Sequence, residues 1–401
     1  MIVLKCTLFA LAIYLSSYVL YNAILFFAHF VLRDPKLSFH APSTRFAIII
    51  PAHNEELLLE RILISIREQN YPKELYKTIV VADNCVDQTA FVASRNSALV
   101  MERVDAEHVG KGYAIKYALE SITLENFDAV FVVDADSRIN CDALMHLNEP
   151  IEKGIDAIQC YNGVSNSEDS WFTRLLDVSR TISNEIFHPA KMKLGLSSYL
   201  MGNGMCFSRK FLQKCGWNAF TVGEDWEFYT KIIQAGKTVA FSNKARVYHQ
   251  ESSSLKQATT QRMRWSSGRF EIARKYGFRL FFQGLREGNI IKIDGSLPLL
   301  FPNPSLGMNL TLIGLMASIV VLFASGNKSF AFWYISLFAL QLVIFVAGIH
   351  YTKNKIMKLL SLFVAPIFLT WKLGIDMVSM LGFGTKKWIR TERKASSQQQ
   401  E

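Results

Sequence analysis

The sequence predicts an α/β domain with a mostly parallel sheet, joined to apolar helices long enough to cross a membrane. Between residues 46 and 133, short apolar runs alternate with stretches of helical periodicity, which is the pattern of a parallel sheet covered by helices. Long uncharged runs precede and follow this region. Of the 401 residues, 50% are hydrophobic and 19% are charged, whereas an ordinary soluble domain has about 25% charged residues. The composition therefore excludes a disordered chain and favours a membrane protein.

Three runs lack Asp, Glu, Lys and Arg, and each exceeds the roughly 20 residues that a spanning helix needs. They lie between Lys5 and Arg33, between Asp294 and Lys328, and between Lys328 and Lys353. Prolines delay the second helix, so we expect helices near 8–32, 306–325 and 330–350. The first run is too long for a signal peptide and lacks a clear cleavage site, which favours an N-terminal anchor over residues 1–33. For the other two runs, buried core helices are the alternative.

Flanking charge sets the expected orientation, because basic residues favour the cytoplasmic side. Basic residues follow the first helix more than they precede it, which predicts an outward N-terminus and a cytoplasmic segment over 33–305. The two helices within 306–350 then leave the cytoplasm and return to it. Lys353, Lys355 and Lys358 lie on the expected inner side. This pattern predicts a multi-pass protein of the inner or plasma membrane, with residues 276–305 as an interfacial connector.

The last apolar stretch, 359–383, contains Pro366, Lys372 and Asp376. Basic residues flank both of its ends, so a span here would place a basic tail outside. We therefore expect an interfacial or re-entrant helix over 355–385, with a full span as the alternative, and a basic then polar cytoplasmic tail over 386–401. The six cysteines form no C-x-x-C motif, which is typical of a reduced compartment.

The elements of the central domain follow in a regular order. Residues 46–50 predict a buried strand, and leucines and isoleucines at helical spacing predict a helix over 56–69. The elements expected after them are a strand at 77–82, a helix after Asp87, a strand at 100–104, a helix at 112–121 and a strand at 128–133. In such sheets, ligands bind beyond the carboxyl ends of the strands.

Polar groups occur at three of these strand ends. They are His53-Asn54-Glu55, Asp83-Asn84 and Asp134-Ala135-Asp136. The first strand is not followed by G-x-G-x-x-G, and no G-x-x-x-x-G-K-[ST] occurs, so dinucleotide and P-loop chemistry lose their usual support. Carboxylates at strand ends suit a hard divalent cation, which in turn suits a pyrophosphate. The D-x-D pair is a weak signal on its own, although it places both carboxylates on one side of an extended chain.

Six motifs occur in a fixed order along the chain: Pro51-Ala-His-Asn-Glu-Glu, Val81-Ala-Asp-Asn-Cys, Gly110-Lys-Gly, Asp134-Ala-Asp, Gly223-Glu-Asp225 and Gln261-Arg-Met-Arg-Trp265. In this order they resemble glycosyltransferase family 2, whose GT-A fold is a Rossmann-like, mostly parallel sheet. The resemblance covers roughly 44–275 and is nearest to the membrane-bound synthases of cellulose and hyaluronan. Two positions depart from the family pattern, since His53 stands where Tyr is usual and Gly223 stands where Thr is usual.

The resemblance implies a role for each matching residue on the donor side. Asp83 matches the acid that binds the nucleotide base and ribose. Asp134 matches the first acid of the D-x-D motif, near the nucleotide-sugar and the metal. Asp136 matches the metal ligand, for Mg²⁺ or Mn²⁺. Lys111 either approaches the pyrophosphate or is a solvated loop lysine.

On the acceptor side, Asp225 matches the catalytic base, with Glu224 beside it at the acceptor. Gln261, Arg264 and Trp265 match the motif that closes over the diphosphate and the acceptor. Without these motifs, Asp225 would be interpreted as a helix cap. Trp265 stacks on a sugar ring or lies at the membrane interface.

Two further positions keep alternatives open. The stretch Gly202-Asn203-Gly204 lines the acceptor pocket or forms a tight turn. His249 follows the strand-like Ala245-Arg-Val-Tyr, which makes it a candidate metal ligand, and the alternative is a hydrogen-bonded histidine.

The sequence as a whole predicts an inverting, metal-dependent glycosyltransferase that moves a sugar from a nucleotide-sugar, most simply a UDP-sugar, to a β-linked polysaccharide or glycolipid. The alternatives are single-sugar transfer to polyprenyl phosphate or diacylglycerol, and an inactive polysaccharide-binding membrane subunit. The expected partners are the donor, the acceptor, membrane lipids and an export partner. An acidic strand-end site argues against nucleic acid, and the basic segment over 256–292 suits lipid headgroups.

Overall fold

The computed structural model describes residues 1–33 and 41–383. Eight strands form one sheet: β1 (Phe46–Ala52), β2 (Tyr76–Asp83), β3 (Leu99–Arg103), β4 (Ala129–Val132), β5 (Ser137–Ile139), β6 (Ala157–Val164), β7 (Met205–Ser208) and β8 (Ala240–His249). The α-helices are α1 (Ile2–Val31), α2 (Leu59–Arg67), α3 (Thr89–Arg95), α4 (Lys111–Ser121), α5 (Ala143–Glu152), α6 (Trp171–Thr181), α7 (His188–Lys193), α8 (Arg209–Cys215), α9 (Glu224–Gln234), α10 (Leu255–Ile272), α11 (Phe278–Glu287), α12 (Ile290–Leu300), α13 (Pro304–Ser325), α14 (Ser329–Ile349), α15 (Lys355–Ser361) and α16 (Ala365–Met380).

The strand order is β3-β2-β1-β4-β7-β6-β8-β5. The first four strands in this order are parallel, and β7 runs antiparallel to both of its neighbours. The alternation expected from the sequence is therefore confirmed in the first half of the sheet. Because β1, β2 and β4 are parallel neighbours, their carboxyl ends and the polar residues that follow them meet at one edge.

Strand β1 shows why the sheet is buried on both faces. Phe46, Ile48 and Ile50 point to one face, where they pack against α2, α3 and α5. Ala47 and Ile49 point to the other face, where they pack against α4, α8 and α9. All five side chains are fully buried, as expected for a central parallel strand covered by helices.

In the part of the chain that the structure describes, four helical segments are long and apolar enough to cross a membrane: Ile2–Val31, Pro304–Ser325, Ser329–Ile349 and Lys355–Met380. The first three match the helices expected from the uncharged runs to within a few residues, apart from an earlier start of the first. Helix α1 packs against α13 and α14. The close contact of α13 with α14 depends on Gly314, since a Cβ there would lie 2.1 Å from the Tyr334 ring. Small residues at such crossings are typical of helices packed in a bilayer.

The fourth segment is not a straight helix. A 3₁₀ turn over Leu362–Val364 separates α15 from α16, directly before Pro366. Helix α16 packs against α10 and α13. Its length permits a span, and the interfacial or re-entrant placement stays a prediction. The expected tail over 386–401 lies outside the described residues.

The sheet domain contacts the apolar helices through a continuous helical segment. Helices α6 and α7 are joined by a π-helical stretch, Ile182–Phe187. Val178 and Ile182 pack against Ile344 and Ile349 near the end of α14. A π-helical stretch inside a longer helix often occurs at a functional site, and this one lies beside the cavity described next.

Candidate active site

A cavity of about 430 Å³ opens at the carboxyl edge of the sheet. Its walls come from the ends of β1, β2 and β4, the beginnings of α4 and α9, the loop before β7, and α10. All the predicted site residues line it: Asp83, Lys111, Asp134, Asp136, Glu224, Asp225, Gln261, Arg264 and Trp265. The structure therefore brings together side chains that are up to 182 positions apart in the sequence.

Asp83 ends β2 and is only 2% exposed. Its Oδ1 accepts a hydrogen bond of 2.7 Å from Nη1 of Arg103, which ends the neighbouring strand β3. The other terminal nitrogen of Arg103, Nη2, donates to Asp105 at 2.8 Å. This ion pair holds the Asp83 carboxylate in place at the cavity wall.

Lys111 begins α4 and reaches across the cavity. Its ammonium group contacts the Asp134 carboxylate and the Gly202 carbonyl, and lies 3.8 Å from Glu224. Burial alone would lower the pKa of Lys111, but the carboxylates of Asp134 and Glu224 outweigh burial and raise it. Lys111 is therefore a fixed cation of the site and not a solvated loop lysine.

The flanking glycines allow this approach. Gly110 has a φ of +142°, a backbone conformation that residues other than glycine rarely adopt. Gly112 packs so closely that a Cβ there would lie 2.1 Å from the Ala219 carbonyl oxygen.

The Gly202-Asn203-Gly204 stretch is both a tight turn and a cavity wall. Gly202 and Gly204 have φ values of +80° and +70°. Asn203 accepts a hydrogen bond of 3.0 Å from the Asp134 backbone N–H and donates one of 2.8 Å to Ser137. A Cβ on Gly202 would lie 3.2 Å from Oδ2 of Asp225, so a side chain there would cover the carboxylate.

Glu224 and Asp225 open α9 at the cavity. Asp225 Oδ1 accepts a hydrogen bond of 2.8 Å from the Trp226 backbone N–H at the start of the helix. The same side chain lines the cavity. Burial, with further contributions from neighbouring carboxylates, raises the pKa of Asp225 to about 6 and that of Glu224 to about 7. A carboxylate with a pKa near neutral pH is a stronger base than an ordinary aspartate while still ionised at pH 7.

Helix α10 closes the cavity with Gln261, Arg264 and Trp265. Gln261 is 3% exposed, and no described residue donates a hydrogen bond to its Oε1 atom. Burial lowers the pKa of Arg264, although Glu224 and Asp134 oppose the shift. Because no described side chain forms an ion pair or a hydrogen bond with its guanidinium group, Arg264 is available for an anionic ligand.

Gly223, which stands where the resemblance expects Thr, has a structural explanation. It packs directly against Gly268 of α10, and a Cβ on Gly268 would lie 2.8 Å from the Gly223 nitrogen. The two glycines therefore let α10 and the start of α9 touch. Gly268 lies three positions after the last recognised motif, and no sequence pattern pointed to it.

The roles of Arg180 and Glu251 were not predicted by any sequence motif. Glu251 is 2% exposed and lies 2.5 Å from Arg262, 3.1 Å from His249 and 4.0 Å from Arg180. Burial alone would raise the pKa of Glu251, but Arg262, His249 and Arg180 hold it well below its usual range. The other His249 ring nitrogen lies 2.9 Å from the Asn162 amide oxygen, so His249 is hydrogen-bonded on both sides.

The carboxylates at the end of β4 fit a divalent cation that arrives with a diphosphate. Residues 1–33 and 41–383 contain no group of three or more His, Cys, Asp or Glu side chains placed to hold a metal. Mg²⁺ usually takes one or two protein carboxylates and completes its shell with phosphate oxygens and water. Asp134, which is also in contact with Lys111, and Asp136 are the candidates for such a pair, whereas both ring nitrogens of His249 are engaged in hydrogen bonds.

Comparison with known proteins gives one family. Residues 42–268 match the sequence model described as glycosyltransferase-like family 2, which is more than half of the chain. A probable glycosyltransferase of Sulfolobus acidocaldarius is 27% identical over 57% of this chain and 50% of its own length. A beta-monoglucosyldiacylglycerol synthase of Nostoc sp. is 24% identical over 56% of this chain and 49% of its own length.

The chain thus spans about half the length of these curated relatives. Among solved structures, the mannosyltransferase PcManGT from Pyrobaculum calidifontis, in complex with GDP-Man and Mn²⁺, superposes with a TM-score of 0.55 at 19% identity. That match covers 85% of this chain and 98% of the mannosyltransferase. At this identity the likeness shows a shared fold.

Proposed function

Because the chain belongs to glycosyltransferase-like family 2, we propose that it transfers a sugar from a nucleotide-sugar to an acceptor hydroxyl group with inversion at the anomeric carbon. One observation carries this proposal. A single cavity holds acids from two strand ends, the Asp225 carboxylate at the start of α9, and the Arg264 guanidinium of α10. These are the groups needed to bind a nucleoside diphosphate and to remove a proton from an acceptor.

In the proposed reaction, the acceptor oxygen bonds to the anomeric carbon of the donor sugar while the bond from that carbon to the diphosphate breaks. The nucleoside diphosphate leaves with the bonding electron pair, and the acceptor proton passes to Asp225. One displacement inverts the anomeric centre, so an α-linked donor gives a β-linked product. General-base assistance of this kind contributes about 10²–10⁴-fold to a rate.

The donor is held by groups on both sides of the cavity. We assign Asp83 to the nucleoside and place Lys111, Gln261 and Arg264 near the diphosphate, where a guanidinium group can make two parallel hydrogen bonds. When bound by Asp136 and Asp134, Mg²⁺ or Mn²⁺ would supply charge neutralisation to the leaving diphosphate. Asp83 keeps its position through Arg103, so the nucleoside end of the site is formed before the donor arrives.

For the acceptor, Glu224 and Trp265 lie beside Asp225, and an aromatic ring suits the C–H face of a sugar. The acceptor is a growing β-linked polysaccharide or a glycolipid. The similarity to a diacylglycerol glucosyltransferase supports the lipid alternative with single-sugar transfer. The four apolar helices support a membrane location, with the catalytic domain on the cytoplasmic side.

The test is a donor screen with the purified full-length chain in detergent, using UDP-glucose, UDP-N-acetylglucosamine and GDP-mannose with Mg²⁺ or Mn²⁺. We expect one donor to be consumed, and the product length to show whether transfer is single or repeated. Asp136→Ala and Asp225→Asn should remove this turnover, whereas Asp169→Asn should not. Asp169 is a matched control because it is exposed and lines neither this cavity nor the one described below.

Turnover that survives both Asp136→Ala and Asp225→Asn would contradict the residue assignments. Absence of binding to every donor, measured by calorimetry, would instead support an inactive, polysaccharide-binding subunit.

A further inference from the structure

A second cavity, of about 620 Å³, lies beside the first. It is enclosed by α1, α6, α10 and the last apolar helices, and we call it the inter-helix cavity. Most of its lining is apolar, including Leu25 of α1, Met308 and Leu312 of α13, Phe345 of α14 and Leu369 of α16. Sugar hydroxyl groups placed against such walls would lose hydrogen bonds to water without replacement, whereas hydrocarbon chains would not.

The two cavities share a wall at the reacting end. Arg180, Ser183, Tyr199, Trp226 and Trp265 line both of them. The Tyr199 and Trp226 rings stack with centroids 5.3 Å apart, and Trp226 is the residue after Asp225. A molecule held in the inter-helix cavity can therefore present its polar end to the proposed base.

The inter-helix cavity is lined by five cations: Arg180, Lys191, Arg262, Arg269 and Lys372. No Asp or Glu occurs among the described residues that line it. Two of the cations have carboxylate partners that do not line the cavity. Lys191 pairs with Asp294 at 2.7 Å, and Lys372 contacts Asp376.

The three guanidinium groups have less compensation. Arg262 and Arg180 share the single carboxylate of Glu251. Within residues 1–33 and 41–383, Arg269 donates only to backbone carbonyl oxygens, of Pro298 at 2.8 Å and Phe301 at 2.5 Å. Among the described residues, five cations thus face three carboxylates, and partly buried charge without a partner is costly. An anion bound here would remove that cost.

We propose that the inter-helix cavity binds the acceptor and that the acceptor is an anionic lipid. Its hydrocarbon chains lie between the apolar helices, its phosphate group lies against Arg180, Arg262 and Arg269, and a hydroxyl group beyond the phosphate reaches Asp225. This inference rests on the proposed sugar transfer and makes it more specific. It favours a phosphate-bearing lipid over both a neutral diacylglycerol and a free polysaccharide.

Native mass spectrometry of the full-length chain in detergent tests the proposal with two lipids that have the same acyl chains. The probes are palmitoyl-oleoyl phosphatidylglycerol and palmitoyl-oleoyl glycerol, which lacks the phosphate. We expect one molecule of the phospholipid to bind at least tenfold more tightly than the neutral lipid. Arg269→Gln should reduce this preference to less than threefold, because it removes a guanidinium group that has no carboxylate partner of its own.

A second pair of variants separates the cavity from general affinity for lipids. Met308→Trp places a large ring in the cavity and should weaken binding of both lipids about tenfold. Met316→Trp makes the same change on α13 at a side chain that is 61% exposed and should leave binding unchanged. Equal binding of the two lipids, no effect of Met308→Trp, or displacement of the phospholipid by cellohexaose would each overturn the proposal.

Calorimetry of nucleotide-sugar binding in the same preparations separates the proposal of an anionic lipid acceptor from the proposal of sugar transfer. Donor binding without lipid preference refutes the anionic acceptor and leaves sugar transfer intact. Lipid preference without binding of any donor refutes the proposed transfer.

Discussion

Replacing Asp225 with asparagine removes the proposed base and leaves its surroundings almost unchanged. The two side chains have the same shape, and the asparagine amide oxygen can still accept the hydrogen bond from the Trp226 N–H, 2.8 Å away in the native protein. Asp83, Lys111 and Arg264, the proposed donor contacts, are untouched. We therefore expect Asp225→Asn to fold, to bind the nucleotide-sugar with native affinity, and to lose transfer.

The size of the loss follows from what a general base contributes to a rate. A missing general base costs about 10²–10⁴-fold, which corresponds to about 3–5 kcal/mol of barrier. The pH dependence of the wild-type rate tests the same residue independently, because burial raises the pKa of Asp225 to about 6. The base works when ionised, so kcat/KM should rise through about pH 6 and then level off, with about one tenth of the plateau at pH 5. An ordinary aspartate, with a pKa of about 3.9, would give a flat profile between about pH 5 and 7.

The assay is the initial rate of nucleoside diphosphate release between pH 5 and 8, with the folded fraction checked at each pH. In wild-type protein we expect the acid limb, and in Asp225→Asn a low rate without that limb. An asparagine variant that keeps more than a tenth of the wild-type rate, or that keeps the same acid limb, would refute the assignment of Asp225 as base.

Three other changes have defined outcomes. Asp136→Ala should abolish the Mn²⁺ dependence of donor binding measured by calorimetry, and an unchanged metal dependence would contradict its assignment as a ligand. Gly268→Ala should lower the melting temperature and raise the donor KM, because its Cβ would lie 2.8 Å from the Gly223 nitrogen and would push α10 away from α9; a native melting curve would show that this contact is dispensable. Glu251→Gln should destabilise the fold by about 3 kcal/mol, because it leaves Arg262, whose side chain is only 12% exposed, without its counter-charge. Unfolding curves in detergent check this value, and the change should be largely reversed by adding Arg262→Met.

The order of strands and helices in the first half of the domain could be predicted from the sequence because each element carries its own local signal. Strand β1 is a continuous apolar run, and α2 repeats leucine and isoleucine at helical spacing. Parallel topology then places the strand ends at one edge, so the meeting of Asp83 and Asp136 also followed. The five carboxylates predicted as site residues all line the cavity: Asp83, Asp134, Asp136, Glu224 and Asp225.

Contacts between distant helices could not be predicted in this way. Glu251 follows a strand and belongs to no motif, and its importance arises because Arg180 and Arg262 reach it from α6 and α10. Gly268 matters only because Gly223 touches it. The second cavity exists because several apolar helices leave space between them, and an apolar run does not reveal whether its helices pack tightly. Such properties depend on tertiary distances and not on local periodicity.

Helix α1 makes contacts that have a consequence for biosynthesis. The hydroxyl group of Tyr334 in α14 donates to the Leu8 carbonyl oxygen of α1, across a separation of 326 residues. At roughly 5–20 residues per second, a ribosome needs about 15–65 s to make the intervening chain. Until the ribosome reaches residue 304, α1 has none of its final neighbours from α13 and α14. In the proposed membrane location, lipid chains, which are as apolar as leucine, would cover the exposed face of α1 until its partners are made.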